Sequence, residues 1–263
     1  MKPVVAHGAA ERAFELLDAA AATDAISTNG YIDVLDREAP RVDTVAQRLM
    51  RTRGYAWIYQ AGRPIGRRLA GSPRLGRDAD RRLIASLLKL RPGMTVLDIG
   101  CGPGNFTGWF GRYLGADGLA IGVDASEPML LRAVADNSGE SVVYVRGDAC
   151  ALPFRSATAD AVCCLAALYL INDPRTAVEE FVRVLKPGGR LVILTSVSPS
   201  IPGVGAAIAR FGGVTVFGKD EITGWLDDLG LVDVEQTVEG LAQTIAATKP
   251  RDLTAPDRRG KSG

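Results

Sequence analysis

Glycines at positions 100, 102 and 104 alternate in VLDIGCGPGNF, directly behind an apolar run, and Asp98 stands two residues ahead of the first of them. A strand that ends in a glycine turn and opens a helix brings backbone N–H groups and the positive helix end to the carboxyl edge of a sheet, where open α/β sheets take ligands. Glycine removes the Cβ atoms that would hold a ligand away. Two ligand classes compete for such a loop. A dinucleotide site wants G-x-G-x-x-G, with its third glycine at 105, so that pyrophosphate can rest on the helix end. Position 105 is Asn. A carboxylate at Asp98 would repel a pyrophosphate and suit the ammonium group of an amino acid. Asp124 ends the next apolar run about 20 residues beyond the loop, where a carboxylate can accept from both hydroxyls of a ribose. That feature is common to both classes.

The elements that must position these residues are visible as texture. From Thr95 onward short β-rich runs alternate with helical ones, the pattern of βαβ units around a parallel sheet. Strands are expected at 95–99, 119–123, 142–146, 160–166 and 190–196, with helices near 105–115, 127–137 and 174–185. Pro187-Gly188-Gly189 reads as a tight turn feeding the fifth strand. Residues 217–231 read as a short helix closed by Gly230, and strands at 232–238 and 241–248 are close enough to form an antiparallel hairpin. The expected fold class is α/β, a doubly wound Rossmann-like seven-stranded sheet, mostly parallel, with a C-terminal antiparallel hairpin and an N-terminal helical extension.

Ahead of that region, 9–22 and 41–62 read as amphipathic helices, 63–78 as a hinge broken by Pro64, Gly66, Gly71, Pro73 and Gly76, and 79–90 as a further helix. The domain organisation follows: 1–90 a helical extension and lid, 91–249 the α/β domain with 198–218 as a second lid segment, and 250–263 a disordered tail. With 47% hydrophobic and 23% charged residues the composition is that of a soluble globular chain. It has no apolar run of roughly 18 residues to cross a membrane and no basic start followed by an uninterrupted apolar stretch. The four cysteines, Cys101, Cys150, Cys163 and Cys164, lack CxxC spacing, and His7 is the only histidine. No metal site is expected, and reduced, packed thiols point to a cytoplasmic protein. Charge is uneven: residues 48–91 hold twelve Lys or Arg against two acids. Solvated helix faces explain that run, and so would a patch for an anionic substrate or peripheral contact with a membrane surface. Nucleic acid has no accompanying motif.

DIGCGPG resembles the first motif of the class I S-adenosylmethionine-dependent methyltransferases, particularly the ubiquinone and menaquinone methyltransferase-like (type 11) group. GVDAS at 122–126, GDACALPF at 147–154, DAVCCLAALYLINDP at 160–174 and RVLKPGGRLVILTS at 183–196 resemble its later motifs in the right order. The resemblance implies S-adenosyl-L-methionine as cofactor, held by Asp98, Gly100, Cys101, Gly102, Gly104, Asp124, Ala125, Asp148, Ala149 and Leu165. In it Asp148 accepts from the adenine amine, the Ala149 N–H faces the ring, and Leu152-Pro153-Phe154 walls it. It further suggests a quinone or phenolic acceptor; a carboxylate would need no base, so a fatty acid or related lipid drawn by the basic segment is the other candidate, and the expected acceptor is small and lipophilic or anionic. Many relatives carry histidine where this chain has Tyr169, which leaves a general base from that motif in doubt and the catalytic residues unassigned. Tyr169 is then a pocket residue, and Tyr59 and Arg63 are candidates to close over the cofactor and meet its carboxylate. A cofactor-binding protein without catalysis and a nucleic-acid methyltransferase remain as alternatives.

Overall fold

Strands covered by helices on both faces must be apolar on both, and the central runs of this chain are. The computed structural model describes residues 7–35, 77–198 and 214–251. In chain order its elements are helices α1 (His7–Phe14) and α2 (Ala19–Asp24), strands β1 (Ile26–Thr28) and β2 (Tyr31–Asp33), α3 (Arg77–Leu87), β3 (Thr95–Ile99), α4 (Thr107–Leu114), β4 (Leu119–Asp124), α5 (Glu127–Asn137), β5 (Val142–Arg146), β6 (Ala159–Leu165), α6 (Pro174–Val184), β7 (Leu185–Ser196), α7 (Glu221–Asp228), β8 (Val232–Glu239) and β9 (Ala242–Thr248). They build one sheet in the order β1-β2-β5-β4-β3-β6-β7-β9-β8. Pairings from β2 to β7 are parallel, and those of β1, β9 and β8 are antiparallel.

All seven strands read from the sequence are present, in a doubly wound arrangement with the C-terminal hairpin. Leu97, Ile99, Ile121, Val123, Val162 and Ile193 face one helical layer, where Ala13 of α1, Phe181 of α6 and Leu226 of α7 pack. Val96, Ala120, Ala161 and Val192 face the other, against Ile84 of α3, Leu88 just past its end and Phe110 of α4. Tyr144 of β5 continues that layer with Leu130 and Val134 of α5. The period-two alternation of each strand thus assigns its side chains to two cores.

Three local features differ from the expectation. The helix expected at 9–22 is split, because Asp18 accepts from the Ala21 N–H at 2.8 Å and starts α2 afresh. A short hairpin then adds two strands to the expected seven. It turns on Asn29-Gly30, both in the left-handed region, and pairs with β5 at the sheet edge. Pro187-Gly188-Gly189 does not precede β7 but bulges within it, between the pairs Ala159↔Leu185 and Ala161↔Arg190, with Gly188 at φ +82. The segments expected as a helix at 41–62 and a hinge up to 76, and most of 198–218 and of the tail, lie outside the described residues.

The first residues described are packed into the domain. Leu17 bridges Phe154, the Asp18 N–H donates to Pro153 O at 3.0 Å, and the Arg155 N–H donates to Leu16 O at 3.0 Å. From the other side Arg183 of α6 donates to Phe154 O (2.7 Å) and Leu152 O (2.9 Å), while Glu180 accepts from the Leu152 N–H. The loop after β5 is therefore clasped between the N-terminal segment and α6. Phe154 is fully buried at the centre of this clasp. Phe154→Ala should lower the free energy of unfolding by about 3–5 kcal/mol, read from urea denaturation.

Candidate active site

The chain runs from β3 outward through β4 and β5, then returns to the far side of β3 as β6, so the order reverses between β3 and β6. Ligands of open α/β sheets sit at the carboxyl ends of the strands beside such a reversal. A cavity of about 420 Å³ lies there, walled by the segments that follow β3, β4, β5 and β6. Asp98, Gly100, Cys101, Gly102, Asp124, Ala125, Asp148, Ala149 and Leu165 all line it. Gly104 does not, nor does Tyr169, which sits in the 3-10 turn Leu168–Leu170 packed against the core. Tyr59 and Arg63 lie outside the described residues. Leu152 and Phe154 turn into the core, so neither walls the cavity as expected from the sequence.

The three loop glycines have different work. A Cβ at Gly100 would stand 2.3 Å from the Ala167 Cβ, and one at Gly104 would stand 2.3 Å from the Tyr144 hydroxyl. A Cβ at Gly102 would meet nothing within 4 Å. Two glycines therefore let the loop pack, and the middle one turns a bare backbone to open space. The Gly102 N–H donates to Asp124 Oδ2 at 2.8 Å and the Ser126 N–H to Asp124 Oδ1 at 2.8 Å, which fixes that carboxylate at the mouth of β4. Asp148 accepts from the Cys150 N–H at 2.9 Å in the corresponding turn after β5.

Asp98 shares the face of Val96 and is 2% exposed. The Thr107 hydroxyl donates to its Oδ2 at 2.6 Å and the Cys163 thiol to its Oδ1 at 3.6 Å. Burial pushes the Asp98 carboxyl up to about 6; the two donors oppose the rise, and the charge of Asp124 adds to it. Burial also raises the thiols of Cys101, Cys163 and Cys164, and that of Cys150 to about 11, so all four are protonated at neutral pH and none is an activated nucleophile. Among the described residues no cluster of His, Cys, Asp or Glu could hold a metal ion.

Sequence reasoning missed several wall residues. Phe106, Met129, Leu170, Ile171 and Leu194 supply apolar surface. Ala166 enters the wall at φ +60, a strained conformation for a residue with a Cβ. Asp173 caps α6, accepting from the Thr176 N–H and hydroxyl, bonds that hold its carboxyl below the usual carboxylate range. Its Asp-Pro helix start was a readable signal. Gly122, inside β4, was another: a Cβ there would come within 3.0 Å of Tyr144, Cys101 and Thr107. The four carboxylates of the wall are Asp98, Asp124, Asp148 and Asp173, and no Lys, Arg or His lines the cavity among the described residues.

Residues 97–193 match the family model described as a methyltransferase domain. A demethylmenaquinone methyltransferase of Staphylococcus aureus is 37% identical over 123 residues, which are 46% of this chain and 51% of that protein. An uncharacterised chloroplastic methyltransferase of Arabidopsis thaliana is 31% identical over 217 residues, 77% of this chain and 60% of the relative. The chain spans about half the length of the first curated relatives it matches. Among solved structures, a phosphoethanolamine N-methyltransferase of Haemonchus contortus superposes with a TM-score of 0.64 at 17% identity, covering 80% of this chain and 61% of that one. The central segment of this chain, residues 97–193, matches a methyltransferase domain, and the fold is that of solved S-adenosylmethionine-dependent methyltransferases such as one from Aquifex aeolicus, superposed with a TM-score of 0.54 at 22% identity over 65% of this chain and 89% of that one.

Two outcomes follow for stability. Gly104→Ala, forced against the buried Tyr144 ring, should cost about 3 kcal/mol or more, whereas Gly102→Ala should cost only the roughly 1–2 kcal/mol of a left-handed alanine. Equal losses in urea unfolding would contradict this division of labour. Because the folded chain binds the Asp98 proton more tightly than the unfolded chain does, stability falls as pH rises from about 4 to about 6, by about 3 kcal/mol. Asp98→Asn should remove that step, so that the variant gains on the wild type as pH rises through this window in a pH series of urea unfolding.

Proposed function

We propose that this chain is a methyltransferase that moves the methyl group of S-adenosylmethionine to a small lipophilic acceptor, of which a quinone or phenolic ring is the best candidate. The observation that carries the reading is a cavity walled by four carboxylates beneath a bare glycine backbone. That lining suits a ligand carrying sulfonium and ammonium charges and disfavours a pyrophosphate. It equally disfavours a carboxylate acceptor such as a fatty acid. The demethylmenaquinone methyltransferase relatives support a lipophilic ring.

In this reading Asp98 faces the cofactor's ammonium group, Asp124 the ribose, Asp148 and the Ala149 N–H the adenine, and Gly102 lets the ligand approach the backbone. Gly100 and Gly104 act by letting the loop close on Ala167 and Tyr144. When bound, the cofactor supplies an electrophilic methyl on a sulfonium, so the protein's work is alignment and the exclusion of water. Phe106, Leu165, Leu170, Ile171 and Leu194 provide the apolar wall for that. Arg63 is our candidate to meet the cofactor's carboxylate and Tyr59 to close over it; the described parts of 1–90, read from the sequence as a lid, are packed into the domain, and Tyr169 packs against the core and does not line the cavity. No base is assigned.

Thermal unfolding is expected to shift upward with S-adenosylmethionine or S-adenosylhomocysteine and not with NAD, because only a ligand of the folded state raises stability. Asp124→Ala should abolish most of the shift; full retention would contradict the ribose contact. Incubation with methyl-labelled cofactor and a lipid extract should label a lipid-phase product, and label confined to water-soluble metabolites would overturn the acceptor assignment. Cofactor binding without any turnover in whole-cell extract would favour a non-catalytic protein.

A further inference from the structure

The donors beneath Asp98 sit in a place where nothing polar is otherwise needed. Thr107 opens α4 with no exposed surface, next to the apolar cluster of Val96, Phe110 and Ala120, and Cys163 belongs to that cluster. Valine would fill either position. Each residue instead turns its one donor to a different oxygen of the same carboxylate, at 2.6 Å and 3.6 Å. A carboxylate offers roughly four lone-pair directions, so two are taken by these donors, and Asp98 is itself among the residues that line the cavity.

We propose that Thr107 and Cys163 are positioning residues of the cofactor site: by holding one oxygen each they keep the Asp98 carboxylate an anion, turned toward the ammonium group of the bound cofactor. This rests on the cofactor reading given above. The titratable groups that Asp98 influences electrostatically are Cys101 on the loop, Asp124 of β4, Tyr144 of β5, and Cys163 and, from the opposite face of the strand, Cys164 of β6. The thiols and the phenol are raised and neutral at assay pH, which leaves Asp124 as the other anion among them. Asp124 and burial both favour the proton on Asp98, and the two donors favour its loss. Cofactor binding is therefore linked to the release of one proton near pH 6.

The test is calorimetric titration of the full chain from pH 5 to 8.5 with two probes, S-adenosylhomocysteine and 5′-methylthioadenosine, which lacks the amino acid. S-adenosylhomocysteine should bind about tenfold more weakly at pH 5 than at pH 7, with a heat at pH 6 that depends on the buffer's ionisation enthalpy, while methylthioadenosine shows neither effect. Thr107→Val should move the midpoint up by about one pH unit, weakening S-adenosylhomocysteine about twofold at pH 7 and about fivefold at pH 6, and recovering it at pH 8.5. Thr107→Ser should keep the wild-type midpoint, and Cys163→Ser, with a stronger donor, should lower it. A purely structural hydrogen bond would change unfolding and leave the midpoints where they are. The proposal is overturned by a flat wild-type profile for S-adenosylhomocysteine, or by folded Thr107→Val and Cys163→Ser variants that share the wild-type midpoint. If Thr107→Val does not fold, the Cys163→Ser midpoint decides, and an unmoved one overturns it. Binding of neither probe at any pH sinks the cofactor reading itself, and this proposal with it.

Discussion

A carboxylate inside a sheet is tolerable only with donors at hand, and much of the geometry around the cavity answers to that need at Asp98. Alternation along β3 sends this side chain to the face of Val96, away from water. The nearest hydroxyl has to come from the first residue of the following helix, so α4 must begin at Thr107, within reach of Oδ2. That requirement sets how tightly the chain turns between Ile99 and α4. Gly104 allows the turn by lying against the Tyr144 hydroxyl, and Gly100 by lying against Ala167. Gly122 on the neighbouring strand leaves room for Cys101, Thr107 and the Tyr144 ring. The glycine spacing that suggests a ligand loop is thus in large part the packing solution for one buried charge.

The parallel core was legible because each of its strands is a short apolar run bounded by turn residues, and because the helices between them start and stop at Pro, Gly and Asp signals. The edge hairpin was missed although Asn29-Gly30 is the strongest short-range signal for one. Its flanking runs, Ile26–Thr28 and Tyr31–Asp33, are only three residues each, too short to display alternation. The bulge at Pro187-Gly188-Gly189 was read as a turn for a related reason: glycine and proline mark a break in local geometry without saying whether pairing resumes on the same strand. At the site, Asp98, Asp124 and Asp148 could be found from position relative to strand ends. The partners of Asp98 could not, since Thr107 and Cys163 meet it only through α4 and β6.

The wall of the cavity divides by chemistry in a way that matches the topology. Carboxylates come from the ends of β3 and β4, the turn after β5 and the N-cap of α6, and the apolar side comes mostly from the loop after β6, with Phe106 and Leu194. The quinone-type relative and the phosphoethanolamine-type structural neighbour act, by their names, on very different acceptors.

The clasp around Phe154 also has a consequence for the order in which the chain is made. Leu16, Leu17 and Asp18 leave the ribosome ahead of their hydrogen-bond partners at Pro153 and Arg155, which lie well over a hundred residues downstream. At about 5–20 residues per second that is a wait on the order of ten seconds. During it the apolar side of α1, with Ala9 and Ala13, has no sheet to lie on, because β4 and β5 are still being synthesised. The segment that clasps the loop after β5 is thus made before its partners and can reach its place only after them.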